Sequence, residues 1–477
     1  MLHLSYIIIC KEMNRKSFTI TILFSVFFFT LVATNSIPQL RGPEPYPISW
    51  QWPYQADFFT PKLIVPLLVL STIVAILWFS ERKNSPRLPY LWILFLLLYF
   101  FQLSVLYFSR GGIGIVLQRV IDPGMSGYFT AATKIHDVQN FLGQYHLNMH
   151  TYYTHPRAHP AGFILFFWVI NSISAMLTPL FKSMINNIHP HHLVVMQLWT
   201  KLSSAQQLGA VMAGFLIPFL AALVIIPVYK IVSIYADNKT ALRAAALCGV
   251  IPPVFLFTPL PDVLFPVLSM IALYFLVEGT EKNKVWSFAL SGFIISLAVF
   301  CGLNAVPLLL ILLLYLVLRY NSVNLRSFMF FTGGFITLPV ILITLGYHYV
   351  PVMIQAAVEG RAPRDYWTWL PFNLLDFFIY TGVPLIIVFI YSLKKKTKEK
   401  ITTLKRLRTA FLITLLTLFL SGLTRGEVGR LWIVFMPLIV LLSSTYLKYF
   451  STKQFLSIIV LQALQILILQ GYWVSLW

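Results

Sequence analysis

The stretch PYLWILFLLLYFFQLSVLYF, residues 89–108, is followed at once by SRGGIGIVLQRVIDPGMSGYFTAATKIHDVQNFLGQYHLNMHTYYTHPRAHPAG, residues 109–162. An apolar helix of about 20 residues, rising 1.5 Å per residue, crosses a hydrocarbon core of about 30 Å. The polar stretch after it is far longer than the connection of about two to eight residues that usually joins packed helices. The pair therefore predicts a membrane-spanning helix that leads into a functional loop with local structure of its own.

Comparable apolar runs recur along the whole chain. Of its 477 residues, 58% are apolar and 10% are charged, whereas about 25% are charged in a typical soluble domain. The sequence predicts an all-α, polytopic membrane protein with about 13 to 14 transmembrane helices and long extracytoplasmic loops that contain short interfacial helices. The predicted spans are 17–34, 62–80, 89–108, 161–181, 206–229, 244–259, 262–278, 286–303, 304–319, 327–346, 373–392, 409–423, 430–447 and 454–473. No repeat or long linker interrupts them, so residues 1–477 are interpreted as one membrane domain.

Basic connectors between the spans predict the orientation of the chain. Connectors rich in Lys and Arg lie on the cytoplasmic side as a rule, and this places 81–87, 281–284, 319–326 and 394–408 inside. The loops at 41–61, 110–160, 347–371 and 424–430 are then outside. The connector 229–243 is also expected inside, yet two apolar runs precede it where an odd number of crossings is needed. Either one run is re-entrant or residues 186–201 hide a partial pass.

The net charge of +20 does not indicate nucleic acid, because the basic residues sit in short connectors between apolar runs. Membrane lipids are the partners that such a distribution predicts. Cys10, Cys248 and Cys301 show no spacing that is typical of a disulfide framework or a thiolate metal site. We expect a multi-pass protein of the cell membrane with its active site on the extracytoplasmic side and without a cofactor.

Asp122 is the most prominent acid of the long loop, since Pro123 and Gly124 fix it at a turn. It could act as a general base on an acceptor hydroxyl, or it could cap a helix that begins near Ser126. Apolar residues at helical spacing predict an amphipathic helix within 127–145, and Asp137 lies in the same segment.

The element HPRAHPAG, residues 155–162, places His155, Arg157 and His159 just before a span. The prolines at 156 and 160 argue against a regular helix, so two-histidine zinc binding is weakly supported. A lipid phosphate suits these cationic and hydrogen-bonding groups better. The alternative is that they snorkel at the interface.

Two further loops contain charged candidates. Glu44 lies between two prolines in the first outer loop, beside tryptophans that could stack on a sugar or sit in the headgroup belt. The late segment SGLTRGEVGRLW holds Arg425, Glu427 and Arg430 close together. It is either a self-neutralising cluster or a pocket for a phosphorylated lipid.

The succession of DPGMSGYFTAA, HPRAHPAG and the later PLPDVL, ahead of many apolar helices, resembles the GT-C class of integral-membrane glycosyltransferases. It is most similar to the branch with protein O-mannosyltransferases and aminoarabinose transferases, also called glycosyltransferase 39-like. The resemblance covers roughly Tyr90 to Leu276, and it divides the chain into a glycosyltransferase-like core at 89–280 and a C-terminal helical bundle at 281–477.

The resemblance implies a donor sugar on a polyprenyl phosphate, an inverting transfer, and a lipid, glycan or protein acceptor. It implies that Asp122 is the catalytic base, with Glu44 as a second acid if the loops meet. By position, it implies that His155, Arg157 or His159 steadies the donor phosphate. We add Arg119, Arg425 and Arg430 as further predicted phosphate ligands, with Asp137 and Glu427 in support. The family often has two adjacent acids in this loop, whereas Asp122 is followed by Pro123, so a bridged divalent metal is not indicated.

Two other functions fit a polytopic chain with few charges. A transporter or lipid flippase would show inverted repeats with broken helices in both halves, and the prolines at 252, 253, 259 and 261 have no counterpart later. A polysaccharide polymerase or ligase would place basic residues in a large late loop, for which 355–369 is the candidate.

Overall fold

The computed structural model describes residues 2–44, 50–56, 60–82, 88–188, 190, 193–320, 323–361, 363–394 and 402–474, without the side chains of 2–14, 154 and 402. The fold is all-helical, as the sequence predicts. Within the described ranges the only β pairing is an isolated antiparallel bridge between Tyr54 and Trp473.

Twenty-four α-helices are found in these ranges. The first eight are α1 (Leu2–Thr34), α2 (Ile64–Arg82), α3 (Leu88–Phe108), α4 (Gly114–Ile121), α5 (Tyr128–Ala132), α6 (Val138–Asn148), α7 (Thr154–Arg157) and α8 (Gly162–Asn186). The next eight are α9 (Leu193–Trp199), α10 (Ser204–Ala222), α11 (Ile225–Tyr235), α12 (Asn238–Cys248), α13 (Pro252–Leu256), α14 (Phe265–Lys282), α15 (Val285–Cys301) and α16 (Val306–Leu318). The last eight are α17 (Leu325–Thr344), α18 (Tyr349–Glu359), α19 (Tyr366–Thr381), α20 (Val383–Lys394), α21 (Thr402–Ser421), α22 (Val428–Leu431), α23 (Met436–Leu447) and α24 (Thr452–Tyr472). Short 3-10 helices lie at Pro38–Arg41, Pro61–Leu63, Met149–Thr151, Pro261–Leu264, Leu303–Ala305 and Ile433–Phe435.

Side-chain caps fix several helix starts. Ser203 and Ser451 form capping boxes with the glutamines three residues later. In each box the serine oxygen accepts a backbone N–H of the first turn and the glutamine returns the bond to the cap residue. Asp237 caps α12 by accepting the N–H of Thr240 at 2.8 Å. These caps satisfy backbone donors that a helix leaves without a partner at its first turn.

Eight helices of the described chain are long and apolar enough to cross a bilayer, and the bent pair α19–α20 would make nine. Residues 15–34, 61–82, 88–108 and 452–472 are among them, close to the predicted spans. The predicted span 244–259 is instead two short helices, α12 and α13, broken before Pro252. The predicted span 373–392 is bent by 102° between α19 and α20, where Gly382 has a φ of +100°.

The two ends of the α2–α3 hairpin define two ends of the molecule. We call the end at which α3 passes into α4 the loop end and the opposite one the basic end. At the basic end, the buried Glu81 carboxylate accepts hydrogen bonds from Arg243 at 2.6 and 2.8 Å. It also binds Lys239 at 2.9 Å and Thr452 at 2.9 Å. The predicted inside connectors 81–87 and 229–243 therefore lie together; residues 83–87 are outside the described part.

The contacts of α10 and α11 bear on the odd number of membrane crossings that is expected before the connector 229–243. Going along α10, Ala205 accepts a hydrogen bond from Ser174 of α8 at 2.7 Å, and Pro218 accepts one from Gln102 of α3 at 3.1 Å. Beyond α11, Arg243 reaches Glu81 at the basic end. Helices α10 and α11 therefore run together from the loop end to the basic end, which fits one crossing. Helix α8 packs antiparallel on the first turns of α10, beside the loop end, although it is long and apolar enough to span.

Candidate functional site

Four segments meet at the loop end: the first outer loop, the long loop 109–161, the segment 345–365 and the segment 422–432. The guanidinium of Arg364 lies 6.0 Å from the ring centroid of Trp50 and 5.3 Å from that of Trp369. Ala161 donates its N–H to the Tyr347 hydroxyl at 3.2 Å. The predicted outer loops thus share one end of the molecule.

The centre of this end is an ion cluster that we call the Arg430 cluster, formed by His155, Arg364, Glu427 and Arg430. Arg430 donates to Glu427 at 2.7 Å, and Arg364 donates to the other oxygen of the same carboxylate at 2.9 Å. Arg430 also lies 2.6 Å from Nε2 of His155. His155 and Arg430 are each only 7% exposed. Two guanidiniums therefore share one carboxylate, and Arg430 is a buried cation at the centre of the site.

The turn that holds Glu427 is fixed by α19. The side chain of Asn373 donates to the carbonyl of Thr424 at 2.7 Å and accepts the N–H of Gly426 at 2.9 Å. Gly426 has a φ of +95° and Glu427 a φ of +55°. A glycine adopts such a conformation without steric cost, whereas a glutamate does so only where its surroundings hold it. The two salt bridges of Glu427 supply that constraint.

The surroundings of His155 and His159 keep both imidazoles neutral. Burial, together with the charge of Arg430, lowers the pKa of His155 well below its ordinary value and that of His159 to about 4. A guanidinium can only donate, so Nε2 of His155 accepts from Arg430 and its proton is on Nδ1. The pKa of Glu427, which burial alone would raise, is lowered by Arg430 and Arg364. The cluster is therefore ionised at Glu427 and neutral at both imidazoles around pH 7.

Tyr128 and Asp262 extend the cluster inward. The Tyr128 ring centroid lies 6.4 Å from that of His155 and 6.1 Å from that of His159. Asp262, at the start of the span of α14, is 5% exposed and interacts electrostatically with Arg430. Burial raises the pKa of Tyr128 well above its ordinary value. Its phenol is therefore a hydrogen-bond donor at neutral pH.

Asp122 lies at the end of α4, in a turn that packs on HPRAHPAG. Its carboxylate accepts the N–H of Gly124 at 2.9 Å, and its side chain is half-buried. Helix α5 begins at Tyr128 with Gly127 at its cap position, so Asp122 does not cap it and instead closes its own turn. A Cβ atom on Gly127 would lie 3.1 Å from Pro156. Asp122 and His155 therefore belong to two turns in contact.

The other predicted phosphate ligands, Arg425, Arg119 and Arg157, differ in whether they contact the Arg430 cluster. The guanidinium of Arg425 donates to the carbonyl of Arg364 at 2.7 Å, and that of Arg364 donates to the carbonyl of Arg425 at 2.8 Å, so Arg425 forms part of the wall of the cluster. Arg119 is buried and donates to the carbonyl of Thr258. Arg157 forms a salt bridge of 3.0 Å with Glu359, in which the arginine side chain is 47% exposed. Arg425 thus joins the cluster, whereas Arg119 and Arg157 have these other partners.

The predicted acids Glu44 and Asp137 are both exposed. Asp137 caps α6 by accepting the N–H of Gln139 at 2.9 Å. Glu44 interacts electrostatically with Arg41, which donates to the carbonyl of Trp52. No hydrogen bond of the described residues joins either acid to the Arg430 cluster.

The first outer loop is buried through its aromatic residues. Trp52 packs against Phe257 and Tyr380, with ring centroids 6.0 and 6.4 Å away. Tyr54 stacks on Tyr472 at 5.9 Å, and Val474 donates its N–H to Pro53 at 3.0 Å. Trp52 is therefore part of the core. This position fits neither of the two alternatives expected from the sequence, which were stacking on a sugar and a place in the headgroup belt.

Sequence reasoning missed the face of α19 that supports the site. Trp369, Asn373, Asp376 and Tyr380 are all buried, and their spacing of four, three and four residues puts them on one side of a helix. Asp376 interacts electrostatically with Arg364 and Glu427. This helical spacing of polar residues is a pattern in the sequence that indicates the supporting face. The apolar residues around Asp376 instead led to the prediction of a span at 373–392. Among the side chains described, no three His, Cys, Asp or Glu residues come together as a metal site.

A family model described as dolichyl-phosphate-mannose-protein mannosyltransferase matches residues 189–347. The match contains PLPDVL, whereas DPGMSGYFTAA and HPRAHPAG precede it. It covers a third of the chain and supports a membrane glycosyltransferase of the GT-C class, which confirms the resemblance. No curated protein and no solved structure matches the chain.

Proposed function

We propose that the protein transfers a sugar from a polyprenyl-phosphate donor to an acceptor hydroxyl on the extracytoplasmic side of the cell membrane. The observation that carries the proposal is the buried Arg430, held between Glu427 and a neutral His155 where the loops converge. The mannosyltransferase family match makes glycosyl transfer the chemistry to which this arrangement is best suited.

The charge of the Arg430 cluster fits a phosphate leaving group. The cluster brings two guanidiniums to one carboxylate, so Arg430 supplies a fixed cation beside which a phosphodiester donor, with its one negative charge, can bind. The departing lipid phosphate gains a second negative charge. A fixed cation therefore stabilises the transition state more than the bound donor, which is the condition for catalysis.

Asp122 is the proposed base. The acceptor oxygen attacks the anomeric carbon, the bond from that carbon to the phosphate oxygen breaks with its electron pair, and the acceptor proton passes to Asp122. One such displacement inverts the anomeric centre. A carboxylate has two oxygens, so one can hold the N–H of Gly124 while the other accepts the proton.

The test is transfer by the purified protein in lipid, supplied with polyprenyl-phosphate sugars and candidate lipid, glycan and peptide acceptors. We expect Asp122→Asn to lower the rate by about 10²- to 10⁴-fold, the usual contribution of a general base. The control is Asp237→Asn, which alters a helix cap at the opposite end and should keep the wild-type rate. Full transfer by the Asp122 variant would refute the assignment of the base, and absence of transfer by the wild-type protein with every donor would refute the function.

A further inference from the structure

A cleft opens at the basic end between the last turns of α11 and α14. It is open to solvent, has a volume of about 600 Å³ and is lined by Lys230, Ser233, Ile234, Tyr274, Glu281 and Lys282. The proposed transfer site is at the other end of the same helices, because α14 begins beside Asp262. The cleft is thus a separate feature of the molecule.

The acids of the cleft already have partners. Glu278, whose side chain is 6% exposed, binds Lys282 at 3.0 Å and Lys284 at 3.3 Å. Glu281 binds Arg319. Of the lining residues, Lys230 and Lys282 are basic and Glu281 is acidic. With the neighbouring Glu278, Lys284 and Arg319, four basic side chains surround two carboxylates, which is a surplus of two positive charges.

Lys230 is the basic residue of this cleft that contacts an aromatic ring in place of an acid. Its ammonium lies 5.3 Å from the ring centroid of Tyr274. Lys282 uses one N–H on Glu278, and an ammonium group has three. The two lysines lie on the two helices that line the cleft, α11 and α14, and both have N–H donors to offer an anion.

The depth of the cleft suits a lipid. Both walls are the final turns of helices in candidate spans, residues 204–235 and 261–282, so Lys230 and Lys282 lie where a bilayer places its phosphates. About one turn before Tyr274, α14 carries Ile271, a half-buried apolar residue. A lipid can therefore place its phosphate between the lysines and its acyl chains along the helices below.

We propose that this cleft binds the phosphate headgroup of an anionic phospholipid in the leaflet at the basic end. The phosphate accepts hydrogen bonds from Lys230 and Lys282 across the cleft. The site is independent of glycosyl transfer, so either proposal can fail without the other.

The probe is phosphatidylglycerol, compared with phosphatidylcholine and with inorganic phosphate. After purification and delipidation, the full chain is titrated with each lipid, and bound lipid is counted by native mass spectrometry. We expect retention of phosphatidylglycerol over phosphatidylcholine, and a loss of about fivefold in its affinity for each lysine removed, in Lys230→Gln and in the double variant Lys230→Gln with Lys282→Gln. Lys230→Arg keeps the charge and should keep the binding.

The matched control is Lys453→Gln, which removes an exposed lysine at the same end and should leave lipid binding unchanged. Helix content measured by circular dichroism identifies a variant that has failed to fold, and Lys230→Arg then decides the question. Equal retention of both lipids, or an equal loss in Lys453→Gln, would overturn the proposal. Displacement of phosphatidylglycerol by inorganic phosphate at similar concentration would overturn the lipid as ligand.

Discussion

The guanidinium of Arg430 has a carboxylate on one side and an imidazole on the other, and the two contacts differ in kind. Glu427 compensates its charge, whereas His155 accepts a hydrogen bond without adding charge. Because Arg430 is buried and the Glu427 side chain is only 17% exposed, the loss of Arg430 leaves an ionised carboxylate with only Arg364 to compensate it. Breaking a buried pair of this kind costs about 3 to 5 kcal/mol.

We expect Arg430→Gln to lower the transfer rate by about 10²- to 10³-fold, the usual effect of removing one group that stabilises transition-state charge. Arg430→Lys should lie between wild type and Arg430→Gln, since it keeps the charge but loses the fork that reaches two partners. Initial rates at saturating donor measure both. The control is Arg361→Gln, an exposed arginine at the same end. A fall in its rate equal to that of Arg430→Gln would show that charge at this end matters without regard to position.

His159 predicts how stability depends on pH. Its pKa is about 4 in the folded chain, against an ordinary value of 6.5. Between those values the unfolded chain binds a proton that the folded chain does not, so stability falls as pH falls from about 6.5 to 4. Glu427 adds a loss below its ordinary pKa of 4.5, since its folded pKa is lower.

Thermal midpoints measured at closely spaced pH values between 7 and 4 test this prediction. We expect the midpoint of the wild-type protein to decrease over this range by a few degrees, at about 1 °C for each kcal/mol in a chain of 477 residues. His159→Gln should show a smaller decrease, and His136→Gln, which alters an exposed imidazole, should match wild type. Parallel curves for wild type and His159→Gln would exclude His159 as a cause.

Helices α15 and α17 pack with their backbones in contact. A Cβ atom on Gly334 would overlap the carbonyl of Ala289, and one on Gly292 would overlap that of Phe331. Small residues allow such an approach between helices in a membrane, where tight packing replaces the hydrophobic effect as the source of association. Both helices lie within the residues that match the mannosyltransferase family model.

Two neighbouring glycines provide a controlled test of this packing. We expect Gly334→Ala to destabilise the protein by about 1 to 3 kcal/mol, because the methyl group forces the helices apart. Gly333→Ala meets no atom within 4 Å and should be neutral or stabilising by up to about 1 kcal/mol through helix propensity. Thermal unfolding in one detergent measures both. Equal destabilisation by the two variants would mean that the helices do not approach closely at Gly334.

At the scale of the whole molecule, hydropathy located several spans closely, but it missed the breaks within 244–259 and 373–392 and did not orient α8. The predicted spans 89–108 and 454–473 coincide with α3 and α24 to within a few residues, because an apolar run has few alternatives in a bilayer. Helix α8 is equally apolar, but its partner is the loop-end part of α10. Such a pairing depends on tertiary contacts that composition does not encode.

The candidate site was partly predictable for the same reason. His155, Glu427 and Arg430 are chemically conspicuous, so each was found in its own loop. Their meeting joins residues 275 positions apart, which no local pattern predicts. Arg364 and Asp376 were not singled out, since one lies in a loop of several charges and the other in an apolar run.

If α10 and α11 together cross the membrane once, the connection between α8 and α9 lies on the same side of the membrane as the loop end. Single cysteines replace Asp137, Asn187 and Lys453, all exposed, and are labelled with a membrane-impermeant maleimide in oriented vesicles. We expect Asn187→Cys to react from the same side as Asp137→Cys, with Lys453→Cys reacting from the other. If Asn187→Cys reacts together with Lys453→Cys, α8 crosses the membrane and the crossing assigned to α10–α11 is wrong.

The bridge between Tyr54 and Trp473 has a consequence for biosynthesis. The first outer loop leaves the ribosome early, but the backbone groups that hold it at Tyr472 and Val474 are translated after all the helices that separate them. The loop must wait in an unpaired state while the rest of the bundle is inserted. We therefore expect a chain that stops before α24 to insert its earlier helices and yet expose Trp52 and Tyr54 to protease.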